Sequence, residues 1–340
     1  MKKHIVLSVL ASFITLAGIG GVIYNMIYVQ SIKSEDFNIF IYPEESPEYV
    51  LTQIESKSGK ENFTGLRLIF KLRNYQSLIK SGCYSIKNGD NANKIFLRLS
   101  NGHQTPVNLI VSSTRTVQNM ALNMTSQLMA DSAEIANLLT DSLFLDSLGY
   151  SKATVFAMIV PNTYQVYWNS SAKKILERLA TETKRFWNTD RTNRAQQIGL
   201  SPLQVVTLAS IVEEETAKID EMPIVAGLYM NRLKIGMPLQ ADPTVIFALG
   251  NERPKRVLQA HLNVDSPYNT YRNLGLPPAP IRFVHISSIE AVLNYTHHNY
   301  LYMCAKEDFS GYHNFAYTLS QHNANAARYR KALTTNGERR

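Results

Sequence analysis

Three consecutive glutamates, Glu213-Glu214-Glu215, are the residues best suited by type and setting to acid–base chemistry. They end a predicted helix that has Ser201 as its N-cap, Pro202 at its first position and Gln204 completing a capping box. Acidic residues at a helix C-terminus oppose the macrodipole, whose negative end lies there. A carboxylate that also faced apolar residues would have a raised pKa and could donate a proton near neutral pH, as a glycosidic leaving group requires.

The three carboxylates point in different directions when the residues are placed at intervals of about 100° around a helix. Glu214 falls on the polar arc, where we expect a solvated side chain. Glu213 and Glu215 fall in apolar sectors about 160° apart, so we do not expect them to line one pocket as a close pair. The alternative is a charged last turn whose side chains bend away to water. The neighbours on the wheel are Thr207 and Ser210 for Glu214, Val206 and Ala209 for Glu213, and Leu208 and Ile211 for Glu215.

Rigid loops follow this helix and combine proline and glycine with amide, hydroxyl and aromatic side chains. Sugar binding needs such a mixture, because it provides fixed hydrogen-bond partners and aromatic faces on a stiff backbone. The segments are 235–244, 266–271, 275–281 and 311–315.

Six motifs occur in order along the chain: E-E-E-T at 213–216, N-R-L at 231–233, I-G-M-P-L-Q-A-D-P-T at 235–244, Y-N-T-Y at 268–271, G-L-P-P-A-P-I at 275–281, and H-N-F followed by H-N within 313–323. Taken together, they resemble the YceG-like (MltG) family of endolytic murein transglycosylases. The resemblance is strong over 200–325 and weaker over 36–150. It extends to Pro161-Asn162-Thr163-Tyr164, where the family usually has an acidic residue in place of Asn162.

This resemblance implies a lytic transglycosylase without a metal or cofactor. Such an enzyme cleaves the β-1,4 bond between N-acetylmuramic acid and N-acetylglucosamine to give 1,6-anhydro ends, and here it would terminate nascent glycan strands. Glu215 is implied as the catalytic acid and base, and Glu213 as a supporting residue. The candidates for supporting or substrate-binding roles are Asn231, Gln240, Asp242, Tyr268, Asn269, Tyr271 and His313, each with loop-fixing hydrogen bonds as its alternative role.

Two other functions remain open. In a hydrolytic muramidase, Asp242 would be the second carboxylate, and the product would have a reducing end. A non-catalytic, membrane-anchored glycan-binding scaffold would need no proton donor. A metal enzyme is disfavoured because His297 and His298 are adjacent and belong to no H-E-x-x-H pattern. The only cysteines, Cys83 and Cys304, cannot form a four-ligand zinc site, and the sequence leaves their pairing open.

One apolar segment, residues 5–27, is long enough to cross a membrane, since 23 helical residues span roughly 35 Å. No charged residue lies between Ile5 and Ile32. A cleaved signal peptide is the alternative, but the apolar run exceeds the usual h-region of about 7–15 residues. Lys2 and Lys3 precede the span, so we expect a cytoplasmic N-terminus, an inner-membrane anchor and an exported body from residue 30.

Composition limits the partners. The 340-residue chain has 35 Lys and Arg against 27 Asp and Glu, a net charge of +8, and the excess is diffuse apart from the C-terminal tail. This diffuse charge does not predict a nucleic-acid footprint. The resemblance implies glycan strands and peptidoglycan synthases as partners. With 45% hydrophobic and 18% charged residues, the chain is neither disordered nor a polytopic membrane protein.

The predicted fold class is α+β. We expect a cytoplasmic tail (1–4), the transmembrane helix (5–27), a small mixed domain (28–112) that the resemblance makes LysM-like, a helical connection (113–150) and a larger catalytic domain (151–340). The predicted strands are Phe37–Tyr42, Leu66–Leu72 and 107–111, and the predicted helical segments are Ala92–Leu99, Thr116–Leu145 and 171–187.

Overall fold

The computed structural model describes residues 2–59, 63–250, 254 and 257–337. The architecture is α+β, as predicted, with many helices and short strands in two-stranded sheets. The helices are α1 Lys2–Tyr24, α2 Pro47–Ser58, α3 Thr64–Leu72, α4 Ala92–Asn101, α5 Val117–Thr125, α6 Ser132–Leu138, α7 Ser142–Leu148, α8 Ala172–Phe186, α9 Thr189–Gln197, α10 Pro202–Glu215, α11 Met222–Lys234, α12 Asp242–Ala248, α13 Ile286–Leu293 and α14 Leu319–Gly337. The strands are β1 Phe37–Ile41, β2 Gly82–Ile86, β3 Val107–Ile110, β4 Thr163–Val166, β5 Tyr302–Ala305 and β6 His313–Ala316.

The first helix, α1, has the composition of a membrane span. Its apolar side chains are exposed, and a π-helical turn, Asn25–Val29, extends it. The segment 3–29 is long and apolar enough to cross a membrane. This agrees with the predicted apolar helix at 5–27.

The chain divides into two compact units. The first comprises the residues up to 109 together with 165–170, and the second comprises 110–164 and 171 onward. The helices α5, α6 and α7, which we expected to form a connection, therefore belong to the second unit.

In the first unit, β1 pairs antiparallel with β2, with Phe37 opposite Ile86 and Ile41 opposite Gly82. The helices α2 and α3 lie between these strands in sequence, and α4 follows. The prediction of a strand at Leu66–Leu72 was wrong, because this segment forms α3. Leu66, Ile69 and Phe70 are buried at helical spacing, and a short apolar run of this kind does not distinguish strand from helix.

The second unit is built around α10, which is buried from Val205 to Val212 and packs against α11 and α13. The predicted capping box is present: Gln204 N donates to Ser201 Oγ (3.3 Å) and Ser201 N donates to Gln204 Oε1 (2.8 Å). The helix ends at Glu215, because Thr216 is extended. The start and end of α10 thus agree with the prediction.

The helical pattern predicted for Thr116–Leu145 is resolved into three short helices. Thr116, Asp131 and Asp141 cap α5, α6 and α7 with their side chains. The helix predicted at 171–187 is α8, capped by Ser171.

The C-terminal part contains the hairpin β5–β6, in which Tyr302 is opposite Ala316 and Ala305 is opposite His313. The hairpin places His313 at the start of β6. Both cysteines are free: Cys83 is buried in β2, and Cys304 is partly buried in β5.

Candidate active site

Two cavities in the second unit share Glu215 and Asp242 in their walls. The first, of about 390 Å³, has an apolar wall formed by α12 and Ile281, with Arg115 and Glu214 at its polar side. The second, of about 230 Å³, is more polar and is lined by side chains of α11, the 239–242 loop, Tyr271 and the β5–β6 hairpin. Glu215 therefore lies between two spaces that one extended ligand could occupy together.

The Glu215 carboxylate is held by one hydrogen bond inside a largely desolvated setting. Tyr229 Oη on α11 donates to its Oε1 at 2.7 Å. Burial raises the pKa of Glu215 to about 7, and the nearby Asp242 adds to the rise. The Tyr229 hydrogen bond and the charges of His313 and Arg232 oppose it. The carboxyl group can hence hold a proton near neutral pH and is still open to both cavities.

Glu213 has the opposite environment. Ser113 Oγ and Ser288 Oγ donate to its two oxygens at 2.7 and 2.6 Å, and the backbone N–H of His285 donates at 2.8 Å. Arg282 Nη2 lies 3.2 Å from its Oε1. Burial alone would raise the pKa of Glu213, but these hydrogen bonds and the Arg282 charge outweigh burial and lower it. As the helical wheel predicts, Glu213 lines neither cavity with Glu215. Its expected apolar surroundings, however, were wrong.

Glu214 is not the solvated carboxylate that we expected. Its Oε1 accepts from Arg115 Nε (2.6 Å) and Arg282 Nη1 (2.7 Å), and its side chain is 12% exposed. The polar arc that we assigned to solvent contains Thr207 and Ser210, which are both buried. Their hydroxyls form hydrogen bonds with backbone groups, so polarity on this arc reflects satisfied core contacts.

Four other predicted site residues line the second cavity. Tyr271 Oη donates to Asp242 Oδ1 at 2.6 Å, which fixes the exposed carboxylate at the N-terminus of α12. Gln240 is exposed beside it in a left-handed conformation with φ of 50°. His313 lines the same cavity from the start of β6.

The remaining predicted residues fix the backbone around the cavities. Asn231 donates to the carbonyls of His298 (2.7 Å) and Tyr300 (3.1 Å). Asn269 is buried and donates to two carbonyls of its own loop. Tyr268 packs on Phe247 with ring centroids 4.7 Å apart.

Asn162 is exposed, and its side-chain oxygen accepts from Thr163 N at 2.8 Å. It lines neither of the two cavities at Glu215.

Two residues that line the second cavity, Tyr229 and Arg232, were not selected from the sequence. Arg232 is buried and donates to the carbonyls of Leu301 (2.7 Å) and Leu239 (2.7 Å). The signal in the sequence for Arg232 was its charge within the N-R-L motif. The signal for Tyr229 was weaker, since a tyrosine in an apolar helix is usually a core residue.

Comparison with known proteins matches residues 39–328 to the YceG-like family. A protein of Bacillus subtilis (strain 168) named endolytic murein transglycosylase is 37% identical over 161 residues, which cover 47% of this chain and 44% of that protein. A Streptococcus pneumoniae (strain D39) protein of the same name is 32% identical over 152 residues, covering 43% of this chain and 27% of that protein.

A crystal structure of a YceG-like protein from Listeria monocytogenes superimposes with a TM-score of 0.57 at 28% identity, covering 85% of this chain and 98% of that one. The chain spans less than half the length of the two curated relatives described above. The family model nevertheless matches most of the chain, including both cavities and the end of α10. The chain therefore belongs to the YceG-like family.

Proposed function

We propose that this chain is a membrane-anchored, endolytic lytic transglycosylase of peptidoglycan, with Glu215 as its catalytic residue. The observation that carries the proposal is a carboxyl group with a pKa of about 7 that opens to two adjoining cavities. The names of the two relatives support murein as the substrate.

In the proposed reaction, a glycan strand lies across both cavities with the β-1,4 bond beside Glu215. The protonated carboxyl donates its proton to the glycosidic oxygen as the bond to the anomeric carbon breaks. The carboxylate that remains accepts the proton of the muramyl 6-hydroxyl, whose oxygen attacks the same anomeric carbon. The product is a 1,6-anhydro end, and Glu215 regains the proton that it gave.

This reaction needs one carboxyl group, because the nucleophile belongs to the substrate. The isolation of Glu215 from Glu213 supports this assignment, since the low pKa of Glu213 keeps it ionised and its oxygens are occupied by protein donors. Asp242 stays available to stabilise the positive charge that develops on the sugar ring.

A hydrolytic muramidase is the second candidate, and the position of Asp242 favours it. Asp242 lines both cavities with Glu215 and could activate a water molecule or act as a nucleophile. The two reactions differ in product, because hydrolysis leaves a reducing end and no anhydro sugar.

The decisive experiment measures products from purified sacculi by mass spectrometry, using the full chain in detergent. We expect anhydro-muropeptides from the wild type and a loss of about 10²–10⁴-fold for Glu215→Gln, which keeps the shape but has no proton to give. Glu177→Gln on the solvent side of α8 is the matched control and should retain wild-type rates.

Reducing ends without anhydro ends would identify a hydrolase. A Glu215→Gln variant that still released anhydro product would exclude Glu215 as the catalytic residue. Strand binding without cleavage by the wild type would indicate a glycan-binding scaffold.

We further propose that α1 anchors the chain in the inner membrane with its N-terminus in the cytoplasm. Lys2 and Lys3 precede the apolar segment, and cytoplasmic flanks are enriched in such residues. Protease added to spheroplasts should then digest the body of the protein. Protection of the body, while an extracytoplasmic control protein is digested, would reverse the orientation.

A further inference from the structure

Another carboxylate, Glu221, is almost fully buried near the second cavity, and no motif in the sequence pointed to it. It lies immediately before α11 and is 3% exposed. Both of its oxygens bind His313: the backbone N–H donates to Oε1 at 2.7 Å, and ring Nδ1 lies 2.8 Å from Oε2. Glu221 therefore fixes both the start of β6 and the orientation of the imidazole ring.

The other ring nitrogen of His313, Nε2, has a different environment. Within the described part of the chain, Nε2 has no hydrogen-bond partner and is not among the buried unsatisfied atoms. His313 lines the second cavity together with Glu215, Tyr229 and Arg232. A hydrogen-bonding atom is thus left open where a sugar would lie.

Burying a carboxylate costs several kcal/mol unless its partners compensate, so packing alone favours a neutral residue at this position. The Glu221 carboxylate, as the acceptor for His313 Nδ1, has an effect on the ring that apolar packing would not have. It keeps a proton on Nδ1, so Nε2 is an acceptor in the neutral ring and a donor in the charged ring. A sugar hydroxyl can pair with Nε2 in either state, because it both donates and accepts.

We propose that Glu221 is a positioning residue that fixes His313, so that Nε2 forms a hydrogen bond with a hydroxyl of the glycan in the second cavity. The inference rests on the proposed function, and it adds a substrate-binding pair to the single catalytic carboxyl group. Glu221 itself does not touch the substrate.

The test is a double-mutant cycle on the full chain, with the rate of anhydro-muropeptide release as the readout. Glu221→Gln and His313→Gln should each lower the rate about 10–100-fold, the usual effect of losing an orienting partner. Because the two residues act as a unit, the double variant should lose no more than the worse single variant.

Glu307→Gln is the matched control. Glu307 Oε1 accepts from Arg328 Nε at 2.9 Å, so this variant makes the same carboxylate-to-amide change close to β5 and β6 but leaves the His313–Glu221 pair intact. It should retain the wild-type rate.

Multiplicative losses in the double variant, or rates within about twofold of wild type for either single variant, would overturn the inference. If the wild type released no anhydro product, the proposed function would fail instead. The same cycle, measured as glycan-strand affinity in the Glu215→Gln background, would then still decide whether the pair binds glycan.

Discussion

The two sides of the last turn of α10 place two carboxylates in opposite environments. On one side, Glu213 meets two serine hydroxyls, a backbone N–H and Arg282. On the other side, Glu215 meets one tyrosine hydroxyl and two cavities. The pKa of Glu213 falls below its usual value, whereas that of Glu215 rises to about 7.

Both carboxylates are largely buried, so burial does not distinguish them. The number of donors does: a carboxylate that accepts several hydrogen bonds is stabilised in its charged form, and one with few donors is not. One helix end thus carries one carboxylate that stays ionised and one carboxyl group that can hold a proton near neutral pH.

Glu213→Gln should destabilise the second unit by about 3 kcal/mol, because it leaves Arg282 without one of its charged partners in a buried setting. Chemical denaturation of the full chain at pH 7 measures this change. Glu177→Gln, at a half-exposed position, should lie within about 0.5 kcal/mol of wild type. An equally small effect for Glu213→Gln would mean that the contacts of Glu213 do not stabilise the second unit.

The stability difference between Glu215→Gln and the wild type should change with pH. The raised pKa of Glu215 gives a contribution that is complete below its unfolded pKa of about 4.5 and is lost as pH rises through about 7. The wild type should therefore lose up to about 3 kcal/mol relative to Glu215→Gln between pH 4.5 and pH 8. Unfolding free energies across this range measure the difference.

Glu213 should make the free energy of unfolding change with pH in the opposite direction. Its lowered pKa stabilises the fold above the unfolded pKa, and the contribution is lost as pH falls below that value. A flat difference between Glu215→Gln and the wild type would mean that Glu215 ionises like an exposed carboxylate.

Glu214→Gln should cost about 1–2 kcal/mol of stability, since the side chain pairs with one buried and one half-exposed arginine. The helical wheel alone predicted a solvated side chain, whose replacement would change the stability little. Denaturation alongside Glu213→Gln distinguishes these outcomes, and a wild-type value for Glu214→Gln would favour the solvated side chain.

Tyr229→Phe should raise the pKa of Glu215 further, because it removes the hydrogen bond that stabilises the carboxylate. The expected shift is about one unit, or roughly 1.4 kcal/mol. It should move the alkaline limb of the pH–rate profile to higher pH. The free energy of unfolding at acidic pH should not change. A shift to lower pH would show that Tyr229 stabilises the protonated form.

The parts of the site that depend on local sequence were predictable. The capping box, the helix end at Glu215 and the divergence of Glu213 from Glu215 follow from spacing within one helix. The same reasoning failed for Leu66–Leu72, where β-forming residues lie in a helix because tertiary packing buries one face.

The surroundings of each carboxylate were not predictable. The donors to Glu213 come from Ser113, about a hundred residues earlier, and from the 282–288 segment, about seventy residues later. No periodicity within α10 reports such contacts. The partner of Glu221 is likewise distant in sequence, at His313, so the pair is visible only in the fold.

The contacts of Ser113 and Arg115 bear on how the protein can be dissected. Both residues precede the first helix of the second unit, and their side chains bind Glu213 and Glu214 at the end of α10. A fragment that began at residue 116, or at the expected boundary of 151, would leave two buried acids short of their partners. A fragment that contains the second unit should therefore start upstream of Ile110, because these hydrogen bonds, rather than the helix ends, set its boundary.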